Sequence, residues 1–172
     1  MNVDNKNIAF VGFMASGKSS VSKELSLALE KEMVSSDDVI VEREGRSIKE
    51  IFENSGEDYF RKLECDVIKE LSAKENVIID CGGGVVLNTV NVENLKKHGV
   101  IIYLSISPEL VYARTKGRED RPLLNVEEPV AKIKELLEYR KPYYEKADFT
   151  VRVDNKVIGE VCQEILELLN YE

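Results

Sequence analysis

Residues 12–20 of this 172-residue chain read GFMASGKSS, a G-x-x-x-x-G-K-[ST] pattern. In such a loop, backbone N–H groups cradle phosphate oxygens, the lysine reaches the outer phosphates and the hydroxyl ligates Mg²⁺. The cradle would comprise Met14, Ala15, Ser16, Gly17, Lys18, Ser19 and Ser20, with Lys18 as the cation and Ser19 as the metal-binding hydroxyl. The Phe13 and Met14 side chains read as packing. The loop says that a nucleotide binds, not where its phosphate goes. Further along, Asp37 follows a short apolar run, where a carboxylate can accept or orient an acceptor's hydroxyl proton. Arg61, Arg121 and Arg140 offer the planar guanidinium fork that holds carboxylate or phosphate through paired bonds. Each arginine alone also fits a solvated surface charge, so it is the set that suggests a site.

The elements that must position these residues alternate. Apolar runs of strand length fall at 8–12, 32–37, 77–80, 100–106 and 149–153. Amphipathic stretches of helix length fall at 17–31, 38–44, 47–54, 57–74, 90–97, 108–115, 128–144 and 157–169, with Pro142 marking the end of the penultimate one. Continuous apolar strands alternating with helices predict a five-stranded parallel sheet covered on both faces, in one domain spanning 1–172. Ligands of such sheets bind beyond the carboxyl ends of the strands. The glycine loop, Asp37, Asp80 with the glycines at 82–84, and the segment after Ile106 all fall there. Residues 116–125, KGREDRPLLN, are charged and broken by Gly and Pro, as a lid or an ordinary surface loop would be.

Composition narrows the function classes. The net charge of −8 argues against nucleic acid or an anionic membrane as the main partner. No apolar run reaches membrane-spanning length and no leader is visible. Cys65, Cys81 and Cys162 lack metal-site spacing and read as reduced thiols, which predicts a cytoplasmic protein, with a monomer expected. Two nucleotide chemistries remain. A GTPase-type switch has support in DCGG at 80–83, which fits D-x-x-G, but neither Asn-Lys pair, NKNI or NKVI, carries the aspartate of N-K-x-D. A small-molecule kinase needs a base and an anion clamp, which Asp37 and the arginines supply. His98, at a helix end, and Tyr139, Tyr143 and Tyr144 read as structural.

The segments GFMASGKSSV, DDVIVEREGRSIKEIF, GEDYFRKLE, CGGGVV, REDRPLL and YRKPYYEKAD resemble those of shikimate kinase in order and approximate spacing, from about Ile8 to Val153. The resemblance implies a three-layer α/β/α P-loop kinase fold with a mobile lid at about 113–125 and acceptor-binding helices at about 37–64. It implies ATP-dependent phosphorylation of the 3-hydroxyl of shikimate, with Mg²⁺, in the route to chorismate and aromatic amino acids. It further implies that Asp37 binds ring hydroxyls and acts as base. Arg61 and Arg140 would grip the substrate carboxylate, and Gly82 and Gly83 would line the acceptor pocket. Arg121 would reach the transferring phosphate from the lid, and Arg114 would lie against adenine. Related kinases of gluconate or nucleoside monophosphates would keep the phosphate loop without GRSIKEIF or RPLL.

Two departures bear on the metal. Shikimate kinases usually carry D-x-D with an acid two residues before the position of Asp37, where this chain has Ser35. Conversely, Asp80 stands where the family usually has a small or hydroxyl-bearing residue. Other P-loop enzymes place a metal-organising aspartate after such an apolar strand. The metal carboxylate has then moved from the second strand to the third, or Asp80 merely caps the glycine turn. The spacing to Gly45 favours Asp37 over Asp38 as the family acid.

Overall fold

A computed structural model describes residues 5–117 and 126–170. Five strands form one parallel sheet in the order β2-β3-β1-β4-β5. They are β1 (Asn7–Val11), β2 (Glu32–Ser35), β3 (Val77–Asp80), β4 (Gly99–Ser105) and β5 (Phe149–Arg152). The helices are α1 (Lys18–Leu29), α2 (Ser36–Glu44), α3 (Ile48–Ser55), α4 (Glu57–Ser72), α5 (Thr89–His98), α6 (Pro108–Thr115), α7 (Pro129–Tyr144) and α8 (Ile158–Leu169).

Strand alternation sorts the apolar residues onto two faces. Ile8 and Phe10 of β1 join Ile78, Ile102 and Leu104 in a core closed by residues of α1, α7 and α8. Ala9 and Val11 join Ile79, Ile101 and Tyr103 in a second core closed by α2 to α5. The central strand β1 is buried throughout, whereas the edge strands β2 and β5 keep exposed positions. Covering both faces is what makes the inner strands continuous apolar runs.

The chain leaves β1 toward β2 on one side and leaves β3 toward β4 on the other. The carboxyl ends of β1 and β3 are neighbours, with Phe10 opposite Asp80. The crevice at such a switch point is where open α/β sheets bind ligands.

Local differences from the predicted elements have local causes. β2 stops at Ser35, whose side chain accepts the Asp38 N–H and caps α2, so Asp37 lies in the first turn of a helix rather than at a strand end. α1 stops at Leu29 because Glu30 turns left-handed, with φ 52°. Pro142 lies inside α7, two residues before its end; its missing N–H removes one i→i−4 bond, and the helix stops within the same turn. A 3₁₀ turn at Val85–Leu87 was not expected from the pattern. The predicted lid is described only as far as Gly117, and Arg121 lies outside the described residues.

Candidate functional site

The carboxyl ends of the strands open into a cleft of about 560 Å³, walled by the phosphate loop, α2, α4, the glycine turn after β3 and Arg140 of α7. On the phosphate side, Ala15 and Gly17 take left-handed backbone, with φ 61° and 90°, and curl the loop around the end of α1. Ser19 and Ser20 lie in the first turn of α1, where helix N–H groups have no intrahelical acceptor and attract anions. Lys18 folds over the loop and donates to the Gly12 and Phe13 carbonyls at 3.0 and 3.3 Å. Arg114 of α6 donates to the Ala15 carbonyl at 2.9 Å, which ties the exposed end of that helix to the loop.

Ser19 Oγ donates to Asp80 Oδ2 at 2.5 Å. Asp80 is paired across the sheet with Ser35. Neighbours in parallel register share a face, so the two candidate metal positions sit side by side. The amide of Gly82 is taken by Ser36 Oγ at 3.0 Å. The glycine turn is therefore capped by Ser36 rather than by Asp80, whose carboxylate faces Ser19. Burial lifts the Asp80 carboxyl above the ordinary carboxylate range, against the bond from Ser19 and the charge of Lys18.

The acceptor side is built differently. Asp37 is held above the usual range by burial, opposed by Lys18 and reinforced by Asp80 and Asp38. Its Oδ1 is buried without a hydrogen-bond partner among the described residues. A Cβ on Gly82 would come within 2.6 Å of that oxygen, so the glycine lets the carboxylate lie on bare backbone. Asp38, on the same helix turn, is exposed and also borders the cleft.

Arg61 donates to Glu64 Oε2 at 2.9 Å and to Glu57 Oε1 at 3.0 Å. Burial works to lower its pKa, but the two carboxylates outweigh it and raise the value. A Cβ on Gly84 would meet Arg61 Nη2 at 2.7 Å, so this guanidinium too rests on glycine backbone. Arg140 sits 5.5 Å above the Phe13 ring and donates to the Gly83 carbonyl at 3.4 Å, while its Nε is buried without a partner among the described residues. Gly83 is the looser glycine, since a Cβ there would find nothing nearer than 3.5 Å.

A family model described as shikimate kinase matches residues 14–170. The chain belongs to the shikimate kinase family. A shikimate kinase of Caldanaerobacter subterraneus is 44% identical over 161 residues, covering 94% of each chain. One from Dehalococcoides mccartyi is 46% identical over 170 residues, covering 98% of this chain and 96% of that one. Among solved structures, shikimate kinase from Acinetobacter baumannii in complex with shikimate superposes with a TM-score of 0.91 at 37% identity, covering 96% of this chain and 93% of that one. The Aquifex aeolicus shikimate kinase gives 0.85 at 42% identity, covering 95% and 96%. A gluconokinase from Sinorhizobium meliloti, 18% identical with a TM-score of 0.62, shares the fold.

Shikimate kinases carry out ATP-dependent phosphorylation of shikimate in aromatic biosynthesis. Within this member, Lys18, Ser19, Asp37, Arg61, Asp80, Gly82, Gly83 and Arg140 all line one cleft, and Arg114 touches its phosphate loop. Sequence reasoning passed over Glu64, a buried carboxylate whose Oε1 is also unpartnered, and burial raises its pKa against the pull of Arg61. The Arg-x-x-Glu spacing from Arg61 to Glu64 on one helix face was the available signal. Ser36 and the Tyr144 hydroxyl were missed as site components as well, and Gly84 was flagged only as part of the glycine run at 82–84. No helix among the described residues is long and apolar enough to cross a membrane.

Proposed function

We propose that this chain performs its family's reaction, ATP-dependent phosphorylation of the 3-hydroxyl of shikimate, in the two halves of this cleft. The observation that carries the proposal is the convergence of Asp37, Arg61 and Arg140 on one glycine turn, across the cleft from the phosphate loop. Arg61 and Arg140 hold the carboxylate of shikimate through charge-assisted bonds. Asp37 Oδ1, buried and unpartnered, accepts the proton of the ring hydroxyl as that hydroxyl attacks the terminal phosphate. That proton passes to Asp37 as the new P–O bond forms and the bond to ADP breaks. Gly82 and Gly83 supply backbone wall against the ring.

On the other side, the loop from Met14 to Ser20 holds the ATP phosphates, and Lys18 leaves its carbonyl partners to neutralise the transferring group. Arg114 lies on the adenine side, and Arg121, which the family resemblance assigns to the transferring phosphate, lies outside the described residues. The Ser19 hydroxyl and the Asp80 carboxylate are hard oxygen donors 2.5 Å apart, a pair suited to Mg²⁺. Bound there, Mg²⁺ supplies charge neutralisation for the phosphates. Ser35 is engaged as a helix cap and takes no part. Small molecules are the partners required, in a single-domain cytoplasmic monomer.

Coupled ADP release with shikimate, gluconate and AMP as acceptors tests the proposal. Turnover with shikimate alone is expected, and turnover with another acceptor but not shikimate would overturn it.

A further inference from the structure

Tyr144 is fully buried, its ring stacked on Tyr103 with centroids 4.7 Å apart and planes 7° from parallel. That stacking accounts for the ring. It does not account for the hydroxyl, which donates to the Gly83 carbonyl at 2.7 Å in the wall of the cleft. The peptide unit is planar and trans, so the Gly83 C=O and the Gly84 N–H point in opposite directions. Holding the carbonyl against α7 therefore aims the Gly84 N–H away from α7. Among the described residues that N–H has no intramolecular acceptor. Gly84 lies directly under the Arg61 guanidinium. Arg140, one turn before Tyr144 on α7, donates to the same Gly83 carbonyl at 3.4 Å.

A Gly-Gly peptide has little steric resistance to flipping, because neither residue carries a Cβ to bias it. An external bond must choose its orientation. We propose that Tyr144 is a positioning residue for the acceptor anion: its hydroxyl locks the Gly83–Gly84 peptide so that the Gly84 N–H joins Arg61 and Arg140 as a third donor to the carboxylate. The proposal rests on the shikimate reading above. Burial pushes the Tyr144 hydroxyl up to about 12, so it stays a donor throughout the working pH range.

Tyr144→Phe keeps the ring and removes the hydroxyl, with its bond to Gly83 and its contact with Arg140, so the Gly84 amide signal separates the latch from an effect on Arg140. Tyr103→Phe removes the hydroxyl of the stacking partner as a control. Steady-state kinetics should show KM for shikimate rising about tenfold in Tyr144→Phe, the size of one charge-assisted bond. KM for ATP and kcat should stay within about twofold, and Tyr103→Phe should match wild type. With an acceptor whose carboxylate is replaced by a hydroxymethyl group, wild type and Tyr144→Phe should behave alike. The Gly84 amide resonance should shift on shikimate addition in wild type and much less in Tyr144→Phe. An unchanged shikimate KM, an equal rise in both substrates' KM, an equal penalty on the neutral acceptor, or an undiminished Gly84 shift would each overturn the latch. Wild-type protein that turned over no shikimate would instead defeat the functional reading.

Discussion

The two halves of the cleft manage their polar groups in opposite ways. On the phosphate side most groups already have internal partners: Lys18 on the Gly12 and Phe13 carbonyls, Ser19 on Asp80, Arg114 on Ala15, with Ser16 Oγ the exception. On the acceptor side, Asp37 Oδ1, Glu64 Oε1 and Arg140 Nε are buried without partners among the described residues, with Arg61, already paired with Glu57 and Glu64, the exception. Buried polar atoms left unpaired are costly, on the order of 1–3 kcal/mol each. A half built this way is preorganised and waits for a ligand that satisfies it. The other half must break bonds before it can grip a nucleotide.

Substitutions can break or sharpen that contrast. The largest effect should come from Lys18→Met, which removes a cation from the transferring group and should lower kcat by roughly 10³-fold with little change in shikimate binding. Asp37→Asn should lower turnover by on the order of 10²–10³-fold, while Asp38→Asn should leave most of it. The reverse pattern would show the register to be wrong.

Asp37 also predicts a pH dependence. Its base function needs the ionised form, so kcat/KM should fall as pH drops through a pKa above the ordinary carboxylate range. For stability the sign is opposite. A carboxyl whose folded pKa is raised binds its proton more tightly when folded, so stability falls as pH rises from the unfolded to the folded pKa. Asp37→Asn removes that penalty and should leave Tm at neutral pH unchanged or raised, measured by calorimetry. A marked drop in Tm would mean that the carboxylate supports the fold.

Next come the clamps. Arg61→Lys and Arg140→Lys keep the charge but lose the fork, and each should raise KM for shikimate about 10- to 100-fold with KM for ATP nearly unchanged. The smallest effect concerns the metal. Asp80→Asn should raise the Mg²⁺ concentration at half-activity about tenfold, and weaken Mn²⁺ binding read by electron paramagnetic resonance in the ADP complex. Ser35→Ala should change neither. Equal titrations for wild type and Asp80→Asn would sink the relocated-carboxylate reading.

The same contrast explains what the sequence reveals. The phosphate side is made from consecutive residues after one strand, so its loop is legible as a motif. The inner strands are legible too, because VIID and VIIYLSI are buried on both faces. The acceptor side assembles α2, α4, the turn after β3 and α7, so residue types alone suggest a base and an anion clamp, and it is the resemblance to shikimate kinases that assigns Asp37, Arg61 and Arg140 their roles before the fold is known. Its supporting contacts stay hidden for the same reason. Tyr144 reads as packing until its hydroxyl is seen on Gly83, 61 residues away in sequence. Asp37 reads as a strand end because the capping role of Ser35 depends on where β2 stops. CGGG flags close approach, yet which glycines are tight depends on Asp37 and Arg61 lying over Gly82 and Gly84.

The most direct measurement is calorimetric titration of shikimate into nucleotide-free protein, alongside Arg61→Lys and Arg140→Lys. A preorganised acceptor half should bind shikimate saturably without nucleotide, and each substitution should weaken that binding at least about tenfold. No binding until nucleotide is added, or undiminished binding in both variants, would contradict the account.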